Sequence, residues 1–372
     1  MLREVGQRLA ARGHPVEVLT TCAVDHFGWA NHHPPGVTHD GDVTVRRFPV
    51  VHDTPGTDRA RVEAALARGE SPSLADQEAW MNDGLRVPEL FHWVLDHRHD
   101  SRAFVASPYP FWTTFAVAQL VPERLILRPC LHDEPYARLE LFEPVFTGVA
   151  GYWFQTEPEL ELARSLFALP AQAAIVGEGV EPPGGYDPAG FRRRSGLGDR
   201  RFVLYGGRRE GAKGWDALLD GFTRAVERGV DLHLVTFGAG AVDPPAAVAD
   251  RVVDLGYVSD TDRDNAVAAA DAYVQPSALE SFSRTVMEAW LAGTPVIANR
   301  ASAVVRWHCD RSGAGLLYQD RFELEQCLRF VADSPDAARA LAKPGRDYVL
   351  EHYTWPATID AMEATLDEWF PA

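Results

Sequence analysis

The sequence predicts an α/β protein built from two doubly wound domains, and three observations carry that prediction. The chain has 372 residues, enough for about two ordinary domains. Short apolar runs alternate with helical periodicity, most regularly after residue 200, which is the signature of βαβ units and a parallel sheet. A stretch rich in Gly and Pro, Gly177–Gly190, divides the chain and reads as an interdomain linker. At 46% apolar residues a large core is available and disorder is excluded.

In the first half the elements follow one another less cleanly. A helix at Leu2–Arg12, with the stripe Leu2, Val5 and Leu9, ends at Gly13. Strands are expected at Val16–Thr21, Val43–Phe48, Phe104–Ser107, Leu125–Leu131, Trp153–Gln155 and Ala173–Val176. Helices are expected around Val87–His97, Phe111–Leu120, Tyr136–Phe146 and Glu157–Phe167, the last opened by a capping box of Thr156 and Glu159. In a doubly wound sheet the opening helix follows a first strand that lies mid-sheet in the order 3-2-1-4-5-6. That first strand and its Gly-rich turn are missing here, so the sequence is expected to start upstream of Met1; a sheet with one strand fewer is the alternative.

The second half alternates regularly. Phe202–Tyr205, Leu232–Phe237, Val252–Leu255, Ala272–Gln275, Pro295–Ala298 and Gly315–Tyr318 read as strands. Between and after them come helices at Trp215–Arg228, Arg263–Ala270, Ser283–Ala292, Arg321–Ala332, Pro335–His352 and Pro356–Trp369. The expected domains are therefore 1–178 and 179–353, with the helix in 354–372 crossing back to the first.

Charge and composition exclude several classes of function. A net charge of −17 opposes non-specific nucleic-acid binding and lends no support to an anionic membrane partner. No run of 18 apolar residues and no secretory leader pattern is present, so a cytoplasmic location is expected, with peripheral contact at the inner membrane face left open. The cysteines Cys22, Cys130, Cys309 and Cys327 lack CxxC spacing and read as small buried hydrophobes. His26, His32, His33 and His39 match no standard metal-ligand spacing, and no metal or cofactor is expected.

Two segments carry chemistry. Lys213 and Lys343 are the only lysines in an arginine-rich chain, and Lys213 stands five residues after Arg208 in the loop that follows the strand Phe202–Tyr205. Loops at the carboxyl ends of parallel strands bind ligands, and a guanidinium fork with a compact ammonium suits a diphosphate. A solvated basic turn is the bland alternative. The second segment runs from Glu280 through Ser281, Phe282 and Ser283 into a helix containing Glu288. Small residues leave the helix's first N–H groups open to a phosphate, while the two carboxylates could contact sugar and ribose hydroxyls. An ordinary acidic helix start is the alternative here.

Arg208-x4-Lys213, with Glu280-x7-Glu288 about seventy residues on, resembles the retaining family-4 glycosyltransferases of the GT-B fold, two facing Rossmann-like domains with a cleft between them. The similarity extends through Gly293-Thr294-Pro295-Val296, Gly256-Tyr257-Val258, Arg12-Gly13-His14-Pro15-Val16 and His132-Asp133-Glu134. It implies that Arg208 and Lys213 neutralise the donor diphosphate and that Ser281, Phe282 and Ser283 offer it backbone N–H groups. It implies Glu280 on the donor sugar, Glu288 on the ribose, Tyr257 and Val258 at the base through backbone, and His132 as an active-site histidine. The usual Glu-Gly-Phe-Gly is here Glu280-Ser281-Phe282-Ser283, and the N-terminal Gly-rich loop is absent.

The implied activity is metal-independent, retaining transfer of a sugar from a UDP- or GDP-sugar to a hydroxyl on a glycan, lipid-linked or small-molecule acceptor. Attack would be front-side, assisted by a donor phosphate oxygen, in cell-surface glycan or natural-product synthesis. A non-catalytic relative that binds a nucleotide or a protein is the competing expectation. An NAD-linked enzyme is disfavoured, because no GxGxxG turn is followed by an acidic residue about 20 positions later.

Overall fold

A computed structural model describes residues 2–25, 28–52, 56–169 and 172–371. They group into two units, Met1–Gly177 with Ile359–Ala372, and Glu178–Thr358.

The first unit holds two sheets. In one, β1 (Glu17–Thr21) pairs in parallel with β3 (Val43–Phe48), which pairs antiparallel with β2 (Gly36–Asp40). In the other, β4 (Phe104–Ala106), β5 (Leu125–Leu127), β6 (Gly151–Phe154) and β7 (Gln172–Ile175) run parallel in that order. β1 and β4 each have one partner among the described strands. One apolar cluster serves both sheets: it joins Phe48 to Leu125, Leu127, Tyr152 and Phe154, with Leu19, Phe104 and Ala106 partly buried against it. The opening helix, Leu2–Ala11, buries Val5, Gly6 and Leu9, as its apolar stripe requires.

The second unit is a single parallel sheet. Its strands are β8 (Phe202–Gly206), β9 (His233–Phe237), β10 (Val252–Asp254), β11 (Ala272–Gln275), β12 (Val296–Asn299) and β13 (Leu316–Tyr318). Their order is β10-β9-β8-β11-β12-β13, which is the doubly wound order 3-2-1-4-5-6. β8 and β11 meet at its centre, and residues Phe202–Tyr205 and Ala272–Gln275 are all buried, so both read as continuous apolar runs. The strand order reverses between them while all strands stay parallel, which places the loops after β8 and β11 side by side at a crevice.

Several elements differ from the sequence expectation. The strand expected over Leu125–Leu131 ends at Leu127, because Pro129 has no N–H to donate and Cys130 takes a left-handed φ of 53°. Tyr136–Phe146 is two 3₁₀ turns, Pro135–Arg138 and Glu140–Phe142, leading into a short helix Glu143–Gly148. Leu139, with ψ of 132°, breaks the helical run between the turns. Pro335–His352 is two helices, Pro335–Ala340 and Ala342–His352. β2 has no counterpart in the expected strands because its residues are largely exposed and carry no apolar alternation. The helices Thr57–Ala67, Leu74–Asn82, Pro188–Arg194 and Ala303–Ser312 were likewise not expected. Pro188–Arg194 begins inside the glycine-rich stretch, capped by Asp187, whose carboxylate accepts from the Gly190 N–H. Of the cysteines, Cys22 and Cys309 are buried, whereas Cys130 and Cys327 are partly exposed; all four are free thiols.

Candidate functional site

In the second unit the loop after β8 and the loop after β11 lock together. Gly214 adopts φ of +76°, and a Cβ there would stand 2.4 Å from the Pro276 carbonyl oxygen. Only glycine permits both the conformation and the approach. This contact brings Lys213 to the segment after β11, where its Nζ lies 3.1 Å from Glu280 Oε1. Both side chains are mostly covered, at 30% and 15% exposure. The pair joins the expected phosphate cation to the expected sugar-binding carboxylate across 67 residues of sequence.

The adjacent arginines of the β8 loop divide their work. Arg209 is folded inward: its Nε donates to the Gly240 carbonyl and its guanidinium faces Asp254. Arg208 stays 40% exposed beside Glu210, and its carbonyl is held by the Tyr205 hydroxyl at 2.6 Å. Arg208 is therefore the arginine of this loop that an incoming anion can reach.

Ser283 takes φ 66°, ψ 64° and precedes the helix Arg284–Leu291 without capping it through its side chain. Its hydroxyl instead accepts from Gln275 Nε2 at 2.7 Å. That hydrogen bond ties the turn to the end of β11 and keeps the hydroxyl away from the helix's first N–H groups. Phe282 is buried at 2% exposure, edge-on to His308 and Tyr353, so its side chain anchors the turn in the core. Behind it, His308 Nδ1, Tyr348 Oη and Tyr353 Oη form a buried chain with links of 3.0 Å each. Burial drives His308 down to about 3, so the imidazole is neutral. Ser281 adjoins Glu280 at the open side of the turn and is partly exposed.

Glu288 lies on the second turn of the helix, in a small cavity it shares with Glu181, Tyr186, Arg263, Asp264 and Arg284. Arg284 Nε donates to its Oε1 at 3.0 Å. Burial raises the Glu288 pKa, while Arg263 and then Arg284 pull it back down. In the turn after β10, Gly256 has φ of +62° and its N–H donates to Asp254 at 2.8 Å. Tyr257 beyond it is 85% exposed, and Val258 is half-buried.

His132 belongs to the first unit, five residues past the end of β5. The chain between is fixed from several sides. Arg128 is buried and donates to the Gly177 carbonyl, and Cys130 holds the left-handed turn. The Leu131 N–H donates to Glu159 Oε1 at 2.7 Å, and the other oxygen of that carboxylate accepts from the Gln155 N–H. Burial pushes Glu159 up to about 7, against those two backbone donors and Arg128. The imidazole itself faces Glu134, with Nδ1 3.5 Å from Oε2.

The sequence does not pair Glu134 with His132, and Tyr109, which reads there as acceptor-side lining or as core, has a hydroxyl that donates to Glu134 at 2.9 Å. The spacing His-x-Glu was a usable signal; the tyrosine, 25 residues upstream, left none. Arg263 and Arg284 around Glu288 were also unassigned, and of these only the i−4 position of Arg284 was legible. His26 lies outside the described residues, and those residues hold no cluster of three or more His, Cys, Asp or Glu placed to bind a metal.

The family model described as glycosyl transferases group 1 matches residues 200–332, the span that contains the Lys213–Glu280 pair and Glu288. D-inositol 3-phosphate glycosyltransferase of Saccharomonospora viridis is 26% identical over 404 residues, covering 97% of this chain and 86% of that protein. Among solved structures, sucrose-phosphate synthase from Thermosynechococcus elongatus superposes with a TM-score of 0.75 at 18% identity, over 99% of this chain and 92% of the other. Anabaena HepE in complex with UDP-glucose superposes at 0.64 with 14% identity, covering 95% and 99%. At these identities the structural likenesses show the shared fold: parallel α/β sheets of the GT-B type.

Proposed function

We propose that this chain, a member of the group 1 glycosyl transferases by its residues 200–332, moves a sugar with retention from a nucleoside-diphosphate donor to a hydroxyl acceptor. The observation that carries the reading is the Lys213–Glu280 contact at the central crevice of the second unit. It sets a diphosphate cation and a sugar-binding carboxylate within one small molecule's reach, where doubly wound sheets bind ligands.

In this reading the diphosphate sits against Arg208, Lys213 and the N–H groups of Ser281, Phe282 and Ser283. Negative charge develops on the leaving diphosphate as the glycosidic bond breaks. Preorganised cations and helix-end dipoles stabilise that charge more than they stabilise the bound donor, and this difference is the catalytic contribution. The two cations supply the charge compensation without a metal. Glu280 orients the sugar, Glu288 takes the ribose hydroxyls, and the backbone at Tyr257 and Val258 meets the base. His132, in the first unit, keeps the active-site role that the resemblance implies for it.

The relative from Saccharomonospora is named for an inositol phosphate acceptor and the Anabaena structure holds UDP-glucose. The Anabaena complex makes a UDP-sugar the first donor to try. The test is UDP and GDP binding by calorimetry, with Lys213→Ala beside the wild type. Loss of a charge-assisted contact should weaken binding about tenfold or more. Equal affinities in the two proteins would remove the diphosphate site. Release of UDP from UDP-glucose by the wild type, but not by His132→Ala or Glu280→Ala, tests catalysis; binding without turnover in the wild type would favour a non-catalytic nucleotide binder.

A further inference from the structure

We infer that Glu134, locked by Tyr109, is a positioning residue that fixes the tautomer of His132 and leaves its Nε2 as an acceptor for a sugar hydroxyl. The inference rests on the reading of His132 as an active-site residue for its consequence, but its geometry stands independently.

Glu134 is only 8% exposed, and each of its oxygens faces a polar neighbour. Oε1 accepts from Tyr109 Oη at 2.9 Å, and Oε2 lies 3.5 Å from His132 Nδ1. The Glu134 charge also reaches Tyr136, whose phenol pKa is raised by burial and by that charge. Glu134 precedes the 3₁₀ turn Pro135–Arg138, yet its side chain makes no capping hydrogen bond there. The carboxylate is thus turned away from the local backbone role its position offers and toward the imidazole.

Tyr109 cannot easily shift. It is fully buried, it packs edge-on against Phe142 and Phe146, and its own N–H donates to the Pro129 carbonyl at 3.1 Å. Burial and the Glu134 charge both hold the phenol protonated, so it donates and the carboxylate accepts. The backbone under the ring is equally fixed, because Glu159 accepts from Leu131 N–H and the Glu134 N–H donates to the His132 carbonyl at 2.9 Å. Of the other charges nearby, Arg138 donates to Asp133 at 2.6 Å and to the Glu134 carbonyl at 3.4 Å, and the Glu159 carboxylate is held by the Leu131 and Gln155 N–H groups.

A carboxylate at one ring nitrogen of a histidine draws the proton to that nitrogen and fixes the ring plane. With the proton on Nδ1, Nε2 presents a lone pair. A neutral imidazole in that state accepts from an O–H and offers no donor to a phosphate oxygen. The chemical group His132 meets is therefore a hydroxyl. Among the parts of a nucleotide sugar and its acceptor, that assigns it to the sugar or the acceptor alcohol and not to the diphosphate.

The test is ¹⁵N NMR of histidine-labelled full-length chain at about pH 8, where an ordinary imidazole is neutral, with the His132 signals identified by their loss in His132→Ala. The expected wild-type result is a protonated Nδ1 and an unprotonated Nε2. Glu134→Ala should shift the proton to Nε2 or to a mixture, and Tyr109→Phe should move it in the same direction at a preserved melting temperature. Hydrolysis of UDP-glucose should show turnover reduced about tenfold or more in Glu134→Ala, with KM for UDP-glucose little changed. A wild-type His132 protonated at Nε2, or an identical tautomer in both variants, overturns the inference. Turnover unchanged in His132→Ala would instead sink the active-site reading of His132, whatever the tautomer.

Discussion

Lys213 Nζ and Glu280 Oε1 are 3.1 Å apart, so the ammonium that would receive a diphosphate already has a carboxylate as counter-ion. Partly covered pairs of this kind contribute on the order of 1 kcal/mol or less. Removing the carboxylate charge therefore frees the cation at little structural cost. Glu280→Gln should leave UDP affinity equal to the wild type or up to about fivefold tighter, while sugar transfer is lost. Calorimetry with UDP reads the first part, and a clear loss of UDP affinity would show that Glu280 itself holds the nucleotide.

Glu288 is the carboxylate assigned to ribose, and Arg284 holds it at 3.0 Å. Glu288→Ala should weaken UDP binding about tenfold and abolish any preference for UDP over its 2′,3′-dideoxy analogue. A preference that survives in the variant would place the ribose contact on another residue.

His308 and Glu159 make opposite contributions to the acid responses of the two units. For His308, burial lowers the folded-state value from 6.5 to about 3. Between those values the unfolded chain binds the proton and the folded chain does not, so stability falls as pH drops from 6.5 toward 3. For Glu159, burial raises the folded value from 4.5 to about 7. In that window the folded state holds the extra proton, so stability falls as pH rises from 4.5 to 7. Because the residues lie in separate units, calorimetric melts should show two transitions that move apart with pH. Acidification from pH 6.5 to 5 should lower one transition and raise the other. His308→Leu should flatten the first trend and Glu159→Gln the second; transitions moving in parallel in the wild type would contradict both assignments.

Gly214→Ala tests the lock between the β8 and β11 loops. The substitution forces a left-handed residue and a Cβ 2.4 Å from the Pro276 oxygen. It should cost about 1–3 kcal/mol and weaken UDP binding through displacement of Lys213. Gly229→Ala, at φ +89° with open space around it, is the control for conformation alone. Equal UDP affinity in the two variants would mean that the loop approach does not position Lys213.

The sheet of the second unit is legible in the amino-acid order alone, because fully buried parallel strands such as β8 and β11 are short, mostly apolar runs between loops. That order also placed Arg208, Lys213, Glu280 and Glu288 in loops or a helix after strand ends, since glycine, proline and charged residues close the apolar runs of β8 and β11. The resemblance named Arg208 and passed over Arg209; the physical reason appears only in the packing of Arg209 onto Gly240 and Asp254, which leaves Arg208 the more exposed guanidinium. β2, mostly exposed, left no periodic trace, and Leu125–Leu131 read as one strand until Pro129 and the left-handed Cys130 ended it early. The contacts that define each site are long-range: Lys213 meets Glu280 across 67 residues and Tyr109 meets Glu134 across 25. A side chain's partner at such separations is set by how strands order themselves and by what burial leaves exposed, and neither is a property of the local sequence.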